Sequence, residues 1–94
     1  PCMNMRNVTH NTAEHRFEIL EDSYLCTLEY QLRDNSFTIK HTVVPRAVGG
    51  KGIAGELVKA ALNYAREQQL RVIPQCSYAA VYVQRHPEYQ DLVL

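Results

Sequence analysis

The hydrophobic period of this chain changes once, and the change falls on a glycine-rich stretch. Up to Val44 apolar and polar residues alternate, whereas from Ile53 the apolar residues recur at helical spacing. Strict alternation is the signature of a half-buried strand, and a period near 3.6 that of an amphipathic helix. In residues 14–20, Phe17 and Ile19 fall on one face and Arg16 and Glu18 on the other. Residues 24–32 repeat the pattern with Tyr24, Cys26, Leu28 and Tyr30, and residues 37–44 with Phe37, Ile39, His41 and Val43. The connectors Glu21-Asp22-Ser23 and Arg33-Asp34-Asn35-Ser36 are short and polar, so the three strands read as an antiparallel meander. Pro45 ends the third strand because it has no N–H for a ladder.

Beyond Gly49-Gly50-Lys51-Gly52, the residues Ile53, Ala54, Leu57, Val58, Ala61, Leu62 and Ala65 share one stripe, which predicts a helix ending near Gln69. Residues 71–76 read as a short strand carrying Val72 and Ile73. Ser77 is a candidate cap for a second helix that stops before Pro87, and residues 88–94 read as a final turn. Strand, helix, strand is a βαβ unit, with a right-handed crossover and parallel strands. The expected fold is therefore α+β, a meander feeding one βαβ unit and a short C-terminal helix.

With 94 residues there is room for one domain, 1–94, and no second core. The first stretch, residues 1–12, is expected to be loosely ordered. It is polar to His10 and lacks an apolar run, so no export leader is expected there. Ten basic and ten acidic residues cancel, which argues against a nucleic-acid or anionic-membrane partner. No apolar run approaches the ~20 residues of a membrane helix. Cys2, Cys26 and Cys76 are odd in number and widely spaced, without CxxC, so neither a disulfide scaffold nor a metal site is expected. A monomer in a reducing cytoplasm is the expected setting.

Three features could carry chemistry. Glycines between a strand and a helix start let backbone N–H groups approach a phosphate, although a plain flexible turn would read the same. The loop is neither GxxxxGK[ST] nor GxGxxG. Cys76 closes a strand just before a helix start, where the dipole favours thiolate; a small buried thiol is the other reading. His41, near the end of the neighbouring strand, could face Cys76 across a cleft as base to nucleophile, or be a satisfied polar residue on a sheet face. Tyr78, Tyr82 and Arg85 share a stripe of the second helix, suited to proton donation and phosphate contact or simply to amphipathic packing.

Four ordered segments then carry a resemblance: His41-Thr42-Val43-Val44-Pro45, Gly50-Lys51-Gly52-Ile53-Ala54, Ile73-Pro74-Gln75-Cys76-Ser77-Tyr78 and Arg85-His86-Pro87-Glu88-Tyr89. From about residue 14 onward the chain resembles the minimal, single-domain branch of the GNAT-superfamily N-acetyltransferases. The resemblance implies acetyl-CoA as cofactor and acetyl transfer to an amine on a peptide, protein or small molecule. The family's pyrophosphate loop, [Q/R]xxGx[G/A], matches Gly49-Gly50-Lys51-Gly52-Ile53-Ala54 except at Gly49, where Gln or Arg is usual. Arg46 or Lys51 is the candidate to compensate. The implied cofactor residues are Val43, Val44, Arg46, Gly49, Gly50, Lys51, Gly52, Ile53, Ala54, Gly55, Ser77 and Arg85. The implied catalytic residues are Cys76, His41 as base and Tyr82 as acid, with a backbone N–H near Val43 or Val44 for the oxyanion. The departure at Gly49 leaves one alternative, a non-catalytic CoA-binding or protein-interaction module of the same fold.

Overall fold

A computed structural model describes residues 8–49 and 52–93. Its strands are β1 (Thr9–Asn11), β2 (Arg16–Glu21), β3 (Tyr24–Arg33), β4 (Ser36–Val43) and β5 (Arg71–Pro74). Helix α1 (Ile53–Glu67) joins β4 to β5, and α2 (Ser77–Arg85) follows β5. Single 3₁₀ segments occupy Arg46–Val48 and Pro87–Leu92. The five strands form one sheet in the order β1-β2-β3-β4-β5. The first three pairings are antiparallel and β4 runs parallel to β5, as the meander and βαβ reading expects.

The turns explain the meander. Glu21 pairs with Tyr24, and the two residues between them, Asp22 and Ser23, have φ of 51° and 68°. Positive φ at both central positions suits the right-handed twist of a hairpin. Asp34 does similar work in the next turn with φ 56°. The Asn35 carbonyl oxygen then accepts the Arg71 N–H at 2.7 Å, so this turn also anchors the start of β5.

One face of the sheet is buried. Phe17, Ile19, Cys26, Leu28, Phe37, Ile39 and Val72 pack against Ile53, Leu57, Val58, Ala61, Leu62 and Ala65 of α1. The predicted helix stripe is thus the core stripe, except that Ala54 is half-buried. Helix α1 ends with Gln69 at φ 58°, the Leu70 N–H donating to the Ala65 carbonyl at 2.8 Å and the Gln69 N–H to the Arg66 carbonyl at 3.2 Å. This is a Schellman ending in which glutamine occupies the position glycine usually takes.

Three expectations need correction. The stretch 1–12 contributes a strand at Thr9–Asn11, paired with β2 from Glu18 to Arg16. Three residues are too few to show a period, and what holds them is the His10 ring, stacked on Phe17 at 4.2 Å and edge-on to Tyr64 at 4.5 Å. Residues 1–7 lie outside the described residues. Ser77 is the first residue of α2, not its cap; Cys76 holds the capping position, with extended backbone (φ −69°, ψ 131°) and no side-chain cap hydrogen bond. The third correction concerns β4. Glu29 pairs with His41 but Tyr30 with Ile39, so Lys40 is an extra residue. Such a bulge reverses the side-chain phase beyond it. Phe37 and Ile39 point into the core as expected, whereas His41 and Val43 leave that face and Thr42 takes it, opposite the buried Leu28.

Candidate functional site

Strands β4 and β5 part company halfway along. Their register ends at Ile39↔Pro74, and the last tie is the Cys76 N–H to the Ile39 carbonyl at 2.9 Å. Pro74 has no N–H to extend the ladder. The Gln75 N–H turns back to the Ile73 carbonyl at 3.0 Å, which swings the chain away into α2. Strand β4 continues beside β3 as far as the Thr27↔Val43 pair. Among the described residues, residues 40–43 therefore have a strand on one side only. Unpaired ladder groups at such an edge are available to a ligand's amides.

Cys76 lies at the mouth of this opening, half-buried, with its Sγ 3.6 Å from the Thr42 hydroxyl oxygen. Burial pushes the thiol up. The backbone N–H of Ala79, the Thr42 hydroxyl, and the backbone of Tyr78 and Thr42 outweigh that burial, and the net shift is downward. Thiolate is favoured where N–H groups of a helix start converge. His41 is on the other face. Its Nε2 lies 3.3 Å from a Glu29 carboxylate oxygen, both side chains substantially exposed. The bulge at Lys40 is the reason Cys76 meets Thr42 rather than His41. Sequence reasoning passed over both Thr42 and Glu29: an inserted residue leaves no trace in composition, and only the pairing register exposes it.

The remaining site residues divide by place. Val43 ends β4 half-exposed and Val44 packs against the core. Arg46 begins the 3₁₀ segment, and the Gly49 N–H donates to its carbonyl at 3.1 Å. Gly49 has φ −69°, an ordinary extended conformation. Gly50 and Lys51 lie outside the described residues. Gly52 caps α1 with φ 79°, a conformation that disfavours any side chain even though a Cβ there would meet nothing within 4 Å. It supplies no side-chain cap, so the first-turn N–H groups of α1 point outward with the positive end of the dipole. Ile53 is buried in the core, so it can offer only its backbone, and Ala54 is half-buried. At Gly55 a Cβ would stand 3.3 Å from the Tyr78 hydroxyl and 3.6 Å from the Tyr82 ring. Glycine there lets α2 approach the first turn of α1. Tyr82 is half-buried and stacked on His86 at 3.9 Å; burial, with Tyr89, Glu88 and Tyr78 nearby, raises its pKa. A phenol so placed stays protonated and can donate. Ser77 and Arg85 are exposed at the two ends of α2.

No group of three metal-ligating side chains converges among the described residues, and no described helix is long and apolar enough to cross a membrane. A mixed sheet whose parallel pair splits beside a glycine-led helix start defines the GNAT class of α+β domains. The comparisons agree. Residues 16–92 match the profile of the GCN5-related N-acetyl-transferase family, and the chain belongs to that family. The solution structure of a GCN5-like protein from Staphylococcus aureus superposes with a TM-score of 0.74 and 33% identity, covering 94% of this chain and 87% of that one. Protein NATD1 of Xenopus tropicalis is 32% identical over 89 residues, 90% of this chain and 81% of its own length. The human protein of that name is 43% identical over a shorter 54-residue stretch, 57% of this chain and 48% of its own length.

Proposed function

We propose that this protein is an acetyl-CoA-dependent N-acetyltransferase acting on an amine. The observation that carries the reading is the open edge of β4 lying beside the uncapped start of α1. One offers backbone groups suited to pantetheine amides, the other N–H groups and a dipole suited to a diphosphate. Gly52 suits a diphosphate there, because its left-handed backbone leaves the helix start without a side chain over it. Arg46, Val43, Val44 and Gly52 to Gly55 are the described residues assigned to hold the cofactor. Bound acetyl-CoA supplies an activated acyl group.

The chain's own residues do the rest. His41 takes the proton from an incoming ammonium, its ring held by Glu29, which accepts from Nε2–H and leaves Nδ1 as the base. Tyr82 serves as proton donor, consistent with its raised pKa. The Thr42 hydroxyl and the N–H groups of Tyr78 and Ala79 hold Cys76 toward thiolate at the opening. His41 stands on the outer face of the sheet and the phosphate-binding helix start on the inner face, so the amine is assigned to the uncovered side. An open face of this kind suits a peptide or protein amine.

A second reading is a CoA-binding module without turnover. It is favoured by one observation: His41 and Cys76 are paired with Glu29 and Thr42, not with each other. Release of free thiol from acetyl-CoA across a panel of amines separates the two. Amine-dependent release that drops at least tenfold in His41→Gln supports the enzyme; amide shifts on CoA addition without any release support the module.

A further inference from the structure

The uncovered face of the sheet changes character along its length. Cross-strand pairing sets its outward side chains in rows: Arg16, Glu29 and His41, then Glu18, Thr27 and Val43, then Leu20 and Leu25. They alternate with Phe17, Ile19, Cys26 and Leu28, which are buried on the other face. Leu20, Leu25 and Val43 are 68%, 45% and 52% exposed. Leu20 stands directly opposite Leu25, and Val43 lies diagonally from Leu25, so the three form one apolar patch. Its near edge, Val43, is two residues or about 7 Å from His41, and the leucine row is a further step of that length away. Glu18 is engaged by Arg16 and Asn11, whereas Glu29 meets His41. Negative charge therefore stands beside the assigned base, where it attracts an ammonium, and apolar surface follows it. The unpaired backbone edge of Val43, assigned above to the cofactor, lies toward the gap; its side chain lies on this face. Three side chains fall well short of the ~800 Å² per partner that a stable dimer covers, so a second copy of the chain does not match the patch. An extended peptide does. Its side chains alternate, so those of residues one and three point to one side about 7 Å apart. With the free amine at His41, the first side chain reaches Val43 and the third reaches Leu20 and Leu25. A lysine amine at His41 would instead bring polar backbone over the leucines, where the apolar contact is lost.

We propose that the acceptor is the α-amine of a peptide chain with apolar side chains at its first and third positions, the first read by Val43 and the third by Leu20 and Leu25. The inference rests on the acetyltransferase reading above and deepens it by naming the acceptor class. His41 takes one proton from the ammonium. The nitrogen then bonds the acetyl carbon as the carbon–sulfur bond of the thioester breaks. The leaving sulfur takes a proton from Tyr82, and the second amine proton passes to solvent, which reprotonates Tyr82. Contact with the apolar patch draws on parts of the acceptor remote from the reacting nitrogen and holds that nitrogen at His41.

The test is the initial rate of acetylation, by the full chain with acetyl-CoA, of three peptides of one length. One has a free N-terminus with leucine at positions one and three, one a free N-terminus with serine at both, and one a blocked N-terminus with a single internal lysine. The leucine peptide is expected to have a kcat/KM about tenfold or more above each of the others. In the double variant Leu20→Ser and Leu25→Ser, its advantage over the serine peptide is expected to shrink about threefold or more. Both leucines are surface side chains, so the double variant keeps the core intact. A wild type that acetylates the leucine and serine peptides alike, or that favours the lysine peptide, overturns the inference and leaves the acetyltransferase reading standing. So does a double variant that keeps the full preference. A wild type that acetylates none of the three overturns both.

Discussion

Thr42 governs the chemistry available to Cys76 more than any other side chain does. The two side chains lie 3.6 Å apart, and the hydroxyl is one of the groups that bring the thiol below its ordinary range despite burial. Replacing Thr42 with Val keeps the shape and removes the donor. The thiolate fraction at neutral pH should fall, and alkylation of Cys76 by iodoacetamide at pH 7 should slow about threefold or more. Cys26 is fully buried and serves as the unreactive control. An unchanged alkylation rate in Thr42→Val would mean that the helix-start N–H groups alone set the thiol. The linkage to stability has a definite direction. A depressed thiol pKa stabilises the fold above the unfolded value, and that contribution disappears as pH falls through the folded value. The place of Cys76 between a strand end and a helix start was legible in the sequence. Its partner was not, because choosing between His41 and Thr42 required knowing that Lys40 is inserted into the ladder.

At the scale of elements, what could be read from the residues was whatever repeats. The α1 stripe from Ile53 to Ala65 repeats often enough to be unambiguous, and it is the stripe that packs on the sheet. The strand β1 and the end of α1 do not repeat. The stop near Gln69 followed from where the apolar stripe ends, but the left-handed turn did not, since Gln69 sits at φ 58° where glycine is the usual signal. Gln69→Gly should raise stability by about 1 kcal/mol, because a left-handed conformation costs an ordinary side chain roughly that much. Denaturant unfolding checks it; a drop in stability would show that the glutamine side chain contributes something the backbone geometry does not. Strand β1 gives a pH dependence. His10 packs against Phe17 and Tyr64, its Nε2 hydrogen-bonded to the Tyr30 hydroxyl, and burial lowers its pKa. The neutral ring is the one the fold accepts. Its contribution is complete above the unfolded histidine value, about 6.5, and is lost as pH falls through the lower folded value. Thermal melts of His10→Phe should therefore lose less stability than the wild type between about pH 6.5 and 5. Parallel melting curves for the two proteins would place the sensitive group elsewhere.

For the whole molecule, the division of labour follows the two faces of the sheet. Both helices gather on the buried face, and α1 presents its uncapped start there beside the opening between β4 and β5. The other face carries the Glu29–His41 pair and the half-exposed Val43, with no helix over it among the described residues. On the proposed reading, cofactor and acceptor have separate approaches to one gap, and the gap exists because Pro74 and Gln75 turn β5 aside. The class of fold was legible at this scale, since a meander followed by a βαβ unit leaves few topologies. The assignment of faces was not, since it depends on the single-residue bulge. The most direct test of the whole account is mass spectrometry of a peptide mixture incubated with the protein and isotope-labelled acetyl-CoA. The account predicts labelled acetyl groups on peptide amines well above a heat-denatured control. Label no higher than that control, in a protein shown by titration to bind CoA, would contradict it.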